Sequence, residues 1–247
     1  IFRTETPVFH RKRAFFDIWK HCRNQSGGLT RGTLWAYNRK LNKAPGSAGR
    51  KGTVTVQEIT SSQNPRIKEL VRLSSQKKER SLSGLFVVES AKLVEEAALA
   101  GIGIEALYRT DEAAEKYAPY LAPAQAVCGS EVRITRPVAE KLAASQHTQG
   151  VFALCRIPEP SLTAESLSPQ GRYLVLSSLQ DPGNIGAVLR SALAFGCDGL
   201  ILSDDCPDLY SPKVLRAAMG GVFRQPVLVS RDLPELIRSM REKGIDT

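Results

Sequence analysis

No apolar run in the chain comes near the roughly 20 residues that a membrane-spanning helix needs. No signal-like segment precedes the first polar stretch, so the expectation is a chain that stays in the cytoplasm and off the membrane. Histidine is scarce: His10, His21 and His147 lie far apart and cannot form a metal cluster by local spacing. The five cysteines, Cys22, Cys128, Cys155, Cys197 and Cys206, are odd in number and contain no C-x-x-C pair. That excludes a disulfide framework and a zinc site, and suits a reduced compartment. Methionine is limited to Met219 and Met240, and the chain opens on Ile1.

Charge is abundant but uneven. Twelve of the 34 Lys+Arg and only two of the 25 Asp+Glu fall in residues 1–52, which therefore carry +10 while the remainder balances at −1. The basic pI thus says little about nucleic-acid binding by the folded body. Residues 1–54 form a basic extension with both tryptophans, the Arg11-Lys12-Arg13 cluster and a linker-like ending, APGSAGRKG. Interleaved basic and aromatic groups fit a nucleic-acid-binding arm. The favoured reading is translated upstream sequence, with the true start near Val54 or Val56, and no fold is assigned to it.

The remaining 193 residues are organised around LSSLQDPGNIGAVLRSALAFGCDGLIL, residues 176–202. YLVLSSL reads as a buried parallel strand, and Asp181, Pro182 and Gly183 turn the chain into a helix. Ile185, Val188, Leu189, Ala192, Leu193 and Phe195 recur at helical spacing, Gly196 caps the helix, and GLIL is the next strand. Such a βαβ unit places ligands at the carboxyl ends of its strands. Gly183, Gly186 and Arg190 fall nearly on one line of the helix, opposite Ile185. That puts a fixed positive charge over bare backbone, with room for a ligand. The same geometry fits a solvated arginine whose glycine neighbours only admit close packing.

Elsewhere strand and helix alternate, as in an α/β protein. Asn64-Pro65 opens a helix with Ile67, Leu70, Val71 and Leu73 on its apolar face. Arg66, Lys68, Arg72, Lys77, Lys78 and Arg80 lie on the other faces, a basic patch able to touch RNA phosphates or to be simply solvated. Strands are predicted at 85–89, 104–109, 124–128 and 150–157, with helices at 91–100, 112–120 and 137–144. Pro158 to Gln170 reads as a linker. Ser211 and Pro212 start a further helix that Gly220-Gly221 stop. A strand at 225–229, a helix at 233–243 and a new strand from Ile245 complete the pattern. Residues 55–157, 158–170 and 171–247 are therefore a first domain, a linker and a second domain that ends before its sheet is closed.

QDPGNIGAVLRSALAFG and LYSPKVLRAAMGGVFRQPV together resemble the first two motifs of the SpoU (TrmH-type) RNA methyltransferase family. The preceding SSQNPRIKEL and GLFVVESAKLVEEA resemble that family's RNA substrate-binding domain, a ribosomal-protein-like α/β fold. The resemblance implies an α/β trefoil-knot (SPOUT-type) methyltransferase domain, here incomplete at its C-terminus. It also implies S-adenosyl-L-methionine as cofactor, the ribose 2'-hydroxyl of structured rRNA or tRNA as substrate, and a homodimer, with no metal. By motif position Asn184 and Arg190 are the catalytic pair, and Ser211, Lys213, Arg216 and Gly220 belong to the dimer and cofactor region. An arginine is almost always protonated, so Arg190 supports developing negative charge rather than accepting a proton. Ser90 departs from the family, which has glycine after the strand-end glutamate. The third motif is absent, which implies an inactive fragment that binds the cofactor weakly.

Two other classes remain. A non-catalytic RNA-binding protein would keep the first domain beside a decayed transferase. A nicotinamide oxidoreductase would need G-x-G-x-x-G, whereas Gly183-x-x-Gly186 is all there is, and Asp204 and Asp205 alone are weak evidence for ribose binding.

Overall fold

The structure is a computed structural model that describes residues 57–247; the basic extension, with its suggested start at Val54 or Val56, lies outside the described residues. The chain forms two sheets. The first contains β1 (Gln57–Ile59), β2 (Leu85–Glu89), β3 (Ile104–Arg109), β4 (Glu131–Ile134) and β5 (Val151–Arg156) in the order β1-β4-β3-β5-β2. β1, β4 and β3 are parallel, and β5 runs antiparallel between β3 and β2. The second contains β6 (Tyr173–Leu176), β7 (Gly199–Ser203) and β8 (Val227–Ser230), all parallel with β7 central.

The helices follow from local chemistry. Asn64 accepts from the Arg66 amide and Pro65 sits in the first turn, so α1 (Pro65–Ser75) starts where its amides would otherwise lack partners. Ile67, Leu70 and Leu73 form its buried stripe. α2 (Lys77–Ser83) ends at Gly84, whose φ of 68° is the left-handed stop that glycine adopts freely. α3 (Ala91–Leu99), α4 (Asp111–Lys116), α5 (Ala118–Gln125) and α6 (Arg136–Leu142) cover the first sheet. α7 (Pro182–Ala194) joins β6 to β7, α8 (Pro212–Ala218) precedes β8, and α9 (Leu233–Glu242) follows it.

Alternation along the strands sorts side chains to the two faces. Phe86 and Val88 of β2, with Val151, Ala153 and Cys155 of β5, enter one cluster, while Val87 and Phe152 enter the other. In β3 the phase slips: Ile104 belongs to the first cluster, Ala106 to the second and Leu107 to the first again, because the register shifts between Ile104 and Ala106. The first cluster does not stop at the first sheet. It continues through Ile185 and Leu189 of α7, Leu200 and Leu202 of β7, and Val214, Leu215 and Ala218 of α8. Ile201 faces the other way, onto Leu162, Leu167, Leu233, Leu236, Met240 and Ile245. Phe86 also stacks on Tyr210 with ring centroids 4.7 Å apart.

Several expectations need correction. Residues 124–128 are not a strand. They hold the end of α5 and the turn after it, because Leu121 and Ala124 face the core at helical spacing. Pro119 and Pro123 conceal this helix in the sequence; it is only two turns long, so the missing amides cost few bonds. The fourth strand is EVRI, with Val132 and Ile134 buried, and β1 was not foreseen. The helix predicted at 112–120 breaks into α4 and α5 at Tyr117. β6 is shorter than predicted and is an edge strand, with Leu174 and Val175 each 39% exposed. Ile245 starts no strand; it is buried against the core beside Met240.

Ser90 has φ 95° and ψ 143°, a region that essentially only glycine occupies without strain. Its hydroxyl accepts from the Leu93 amide at 3.4 Å, a long cap. Losing that cap to glycine costs only a few tenths of a kcal/mol, whereas the strain costs on the order of 1 kcal/mol or more. Ser90→Gly is therefore expected to raise the melting temperature by about 2–4 °C in differential scanning calorimetry.

Candidate functional site

β6 ends at Leu176, and the chain turns through Ser178, whose φ of 53° is left-handed. The Ser178 amide donates to Ser203 Oγ at 2.8 Å, and that hydroxyl donates to Asp205 Oδ1 at 2.5 Å. Hydrogen bonds from Ser203 and Ser178 hold the Asp205 carboxyl below its usual range despite some desolvation, so it is anionic. Ser178, Ser203 and Asp205 thus line the carboxyl ends of β6 and β7. Asp181 then caps α7, accepting from the Asn184 amide at 2.8 Å, with Pro182 in the first turn.

Asn184 and Arg190 are both exposed on α7. Arg190 makes no ion pair among the described residues, and its charge is free to meet a ligand. Six residues apart, the two side chains are separated by about 9 Å along the helix and about 120° around it. One small group cannot touch both; a nucleotide with its phosphate can.

Of the two readings of the glycine line, the structure shows close packing at Gly186. Gly186 is buried, and a methyl group on it would lie 2.3 Å from Ala217 Cβ and 2.7 Å from the Ala218 amide nitrogen. α8 fills the space expected for a ligand, so this glycine serves close helix packing. Arg190 stands at the rim of that contact, where a methyl on Gly221 would be 3.7 Å from the Arg190 nitrogen. Since backbone rather than a flexible side chain is in the way, Gly186→Ala is expected to cost about 1–3 kcal/mol, read as a lower denaturant midpoint.

Ser211 accepts from the Val214 amide at 3.4 Å and starts α8, and Lys213 is exposed on its first turn. Gly220, with φ 85°, lies beside Glu96, leaving little room for a side chain. Arg216 points inward, its Nη1 3.9 Å from Glu89 Oε2 of β2, while Glu89 accepts from the Ala144 amide and the Ser145 hydroxyl. The basic patch divides. Arg66 bonds Gln57 at 2.5 Å, Arg72 is 3.8 Å from Glu79, and Lys68, Lys77 and Lys78 are exposed. Arg80 is buried instead: its Nε is 2.5 Å from Asp208 Oδ2, and it donates to the Leu73 and Ser74 carbonyls. Buried charge demands a partner, and Asp208 lies 128 residues away, beyond the reach of any local pattern.

Glu96 bonds Arg224 and, 2.7 Å away, Lys92. Burial opposes its ionisation, but the Lys92 hydrogen bond and the Arg224 and Lys92 charges outweigh it and hold the carboxyl below its usual range. A carboxylate depressed in the native state contributes stability above its unfolded pKa that is lost as pH falls through the folded one. Urea midpoints are expected to drop below about pH 4, and Glu96→Gln is expected to flatten that acid limb.

The family model described as SpoU rRNA Methylase matches residues 171–247, and the MRM3-like substrate binding domain matches residues 64–153. The chain is 30% identical over 192 residues to the 23S rRNA (guanosine(2553)-2'-O)-methyltransferase RlmP of Bacillus subtilis, covering 77% of this chain and 71% of that protein. It is 36% identical over 197 residues to an uncharacterized tRNA/rRNA methyltransferase of Synechocystis, covering 78% and 69%. An AdoMet-bound rRNA methyltransferase from Sinorhizobium meliloti has a similar structure, with a TM-score of 0.65 at 29% identity, over 76% of this chain and 69% of that one.

Proposed function

The chain belongs to the SpoU family of RNA methyltransferases, and from that premise we propose that it transfers a methyl group to the ribose 2'-hydroxyl of structured rRNA, with S-adenosyl-L-methionine as donor. The observation that carries this reading is Arg190: an exposed guanidinium with no ion pair among the described residues, two turns into the helix that follows β6.

A ribose hydroxyl is a poor nucleophile, and negative charge grows on its oxygen as its proton passes to water or to the neighbouring phosphate, before that oxygen takes the methyl. A guanidinium is a cation and no base, so the role proposed for Arg190 is to stabilise that charge or the adjacent phosphate. Asn184, one turn into α7, orients the sugar through its carboxamide. The anionic Asp205 and the Ser203 hydroxyl fit in kind the cofactor's positive sulfonium and ribose hydroxyls, and they would hold it at the carboxyl ends of β6 and β7. When bound, the cofactor supplies an electrophilic methyl group.

Arg66, Lys68, Arg72, Lys77 and Lys78 on α1 and α2 hold the RNA backbone in this reading, and residues 55–157 and 171–247 divide RNA holding from chemistry. Lys213 and the exposed Phe195 and Met219, 76% and 59% accessible, offer surface at the ends of α7 and α8 for a second copy of the chain. The test is methylation of rRNA with methyl-labelled cofactor by the purified full-length gene product. Label is expected on ribose, and a 2'-deoxy substitution at the target should abolish it. Label on a base, or none, would overturn the assignment.

A further inference from the structure

Three ion pairs join the elements around the first sheet to the segment 208–224. Arg80 meets Asp208, Glu89 meets Arg216, and Glu96 meets Arg224. The sequence separations are 128, 127 and 128 residues. Each pair is opposite in sign, so reversing either member sets like charges against each other.

The same segment holds the reactive side chain in place. It carries α8, on whose Ala217 and Ala218 Gly186 of α7 is seated, and Gly221, which abuts the Arg190 backbone. The stretch between the sheets does not work as a loose hinge. Leu162 and Leu167 are buried under the second sheet, and the Ser168 amide donates to the Tyr173 hydroxyl at 2.9 Å. Phe86 and Tyr210 add an aromatic contact across the same seam.

We infer that Arg80, Glu89 and Glu96, with Asp208, Arg216 and Arg224, are positioning residues that make the RNA-holding half and the half bearing Arg190 one rigid body. The methylated nucleotide is then chosen by a fixed separation between the exposed basic face of α1 and α2 and the Arg190 guanidinium. This rests on the function proposed above. None of the six touches substrate; each acts by holding segment 208–224, and through it α7, in register with the first sheet.

The experiment uses the full chain carrying Glu96→Arg, Arg224→Glu, both together, and the milder Glu96→Gln. Calorimetric melting reads coupling without reference to activity. The wild type is expected to melt in one transition, each reversal to split it in two, and the double swap to restore one. Two transitions in the wild type would overturn the rigid body. With rRNA, the single reversals are expected to lower kcat about 10-fold or more at nearly unchanged KM for RNA, or to spread label to neighbouring nucleotides, with rescue in the swap. Reversals that only lower the melting temperature, with kcat and target site unchanged, would make these residues merely structural and overturn the inference. A wild type that methylates no rRNA overturns the function and the measured separation with it, while the melting result still decides the coupling.

Discussion

Replacing Arg190 by alanine is expected to lower the methylation rate about 100- to 1000-fold, the usual effect of removing one preorganised group that stabilises developing charge. The same substitution is expected to leave the melting temperature within about 2 °C of the wild type, because an exposed side chain with no ion pair among the described residues contributes little to stability. The dissociation is informative. Loss of both rate and stability would mean that Arg190 supports the α7 contact with α8. Retained activity would remove the guanidinium from the chemistry. Arg190→Lys keeps the charge but not the planar fork, so partial activity identifies a general electrostatic role and near-complete loss identifies two-point binding of a phosphate or sugar.

Replacing Arg80 by alanine is expected to do the opposite: a loss of about 3–5 kcal/mol of folding stability, because the Asp208 carboxylate would be left in a poorly solvated site with its charge partner gone. The arginine side chain is 5% exposed and the aspartate 15%, so neither is well screened by water. The melting temperature is expected to fall by about 10 °C or more. An Arg80→Met, Asp208→Leu pair, which removes both charges, is expected to recover much of that loss, since the burden lies in the unpaired charge rather than in the missing attraction. Equal loss in the single and double variants, by chemical denaturation, would show that the Leu73 and Ser74 carbonyls, not Asp208, are what Arg80 satisfies.

The contrast between these two arginines shows what was legible in the sequence. The helical period and the Asp181-Pro182-Gly183 turn placed α7, with Asn184 and Arg190, where the structure has them, because turn chemistry and amphipathic spacing are local. Ser211-Pro212 placed the start of α8 for the same reason. Gly186 stayed open between ligand space and close packing because a bare backbone looks alike whether a ligand or another helix lies on it. Arg80 sat in a run of basic residues, and nothing within it marks one as turned inward. Glu89, Glu96 and Arg224 escaped attention because their partners lie about 130 residues away. The run AQAVC reads as a strand in the sequence because a short apolar segment fits either period.

The distance between Arg80 and Asp208 along the chain also governs how the protein is made. At the usual 5–20 residues per second, a ribosome needs about 6–25 s to travel from one codon to the other. Through that interval the first five strands can assemble, but Arg80 has only carbonyl oxygens to answer its charge, and Phe86 lacks the Tyr210 and Phe223 rings that lie beside it in the complete fold. The nascent first half therefore emerges with an uncovered flank, and it is during synthesis, more than after it, that this chain has most need of a chaperone.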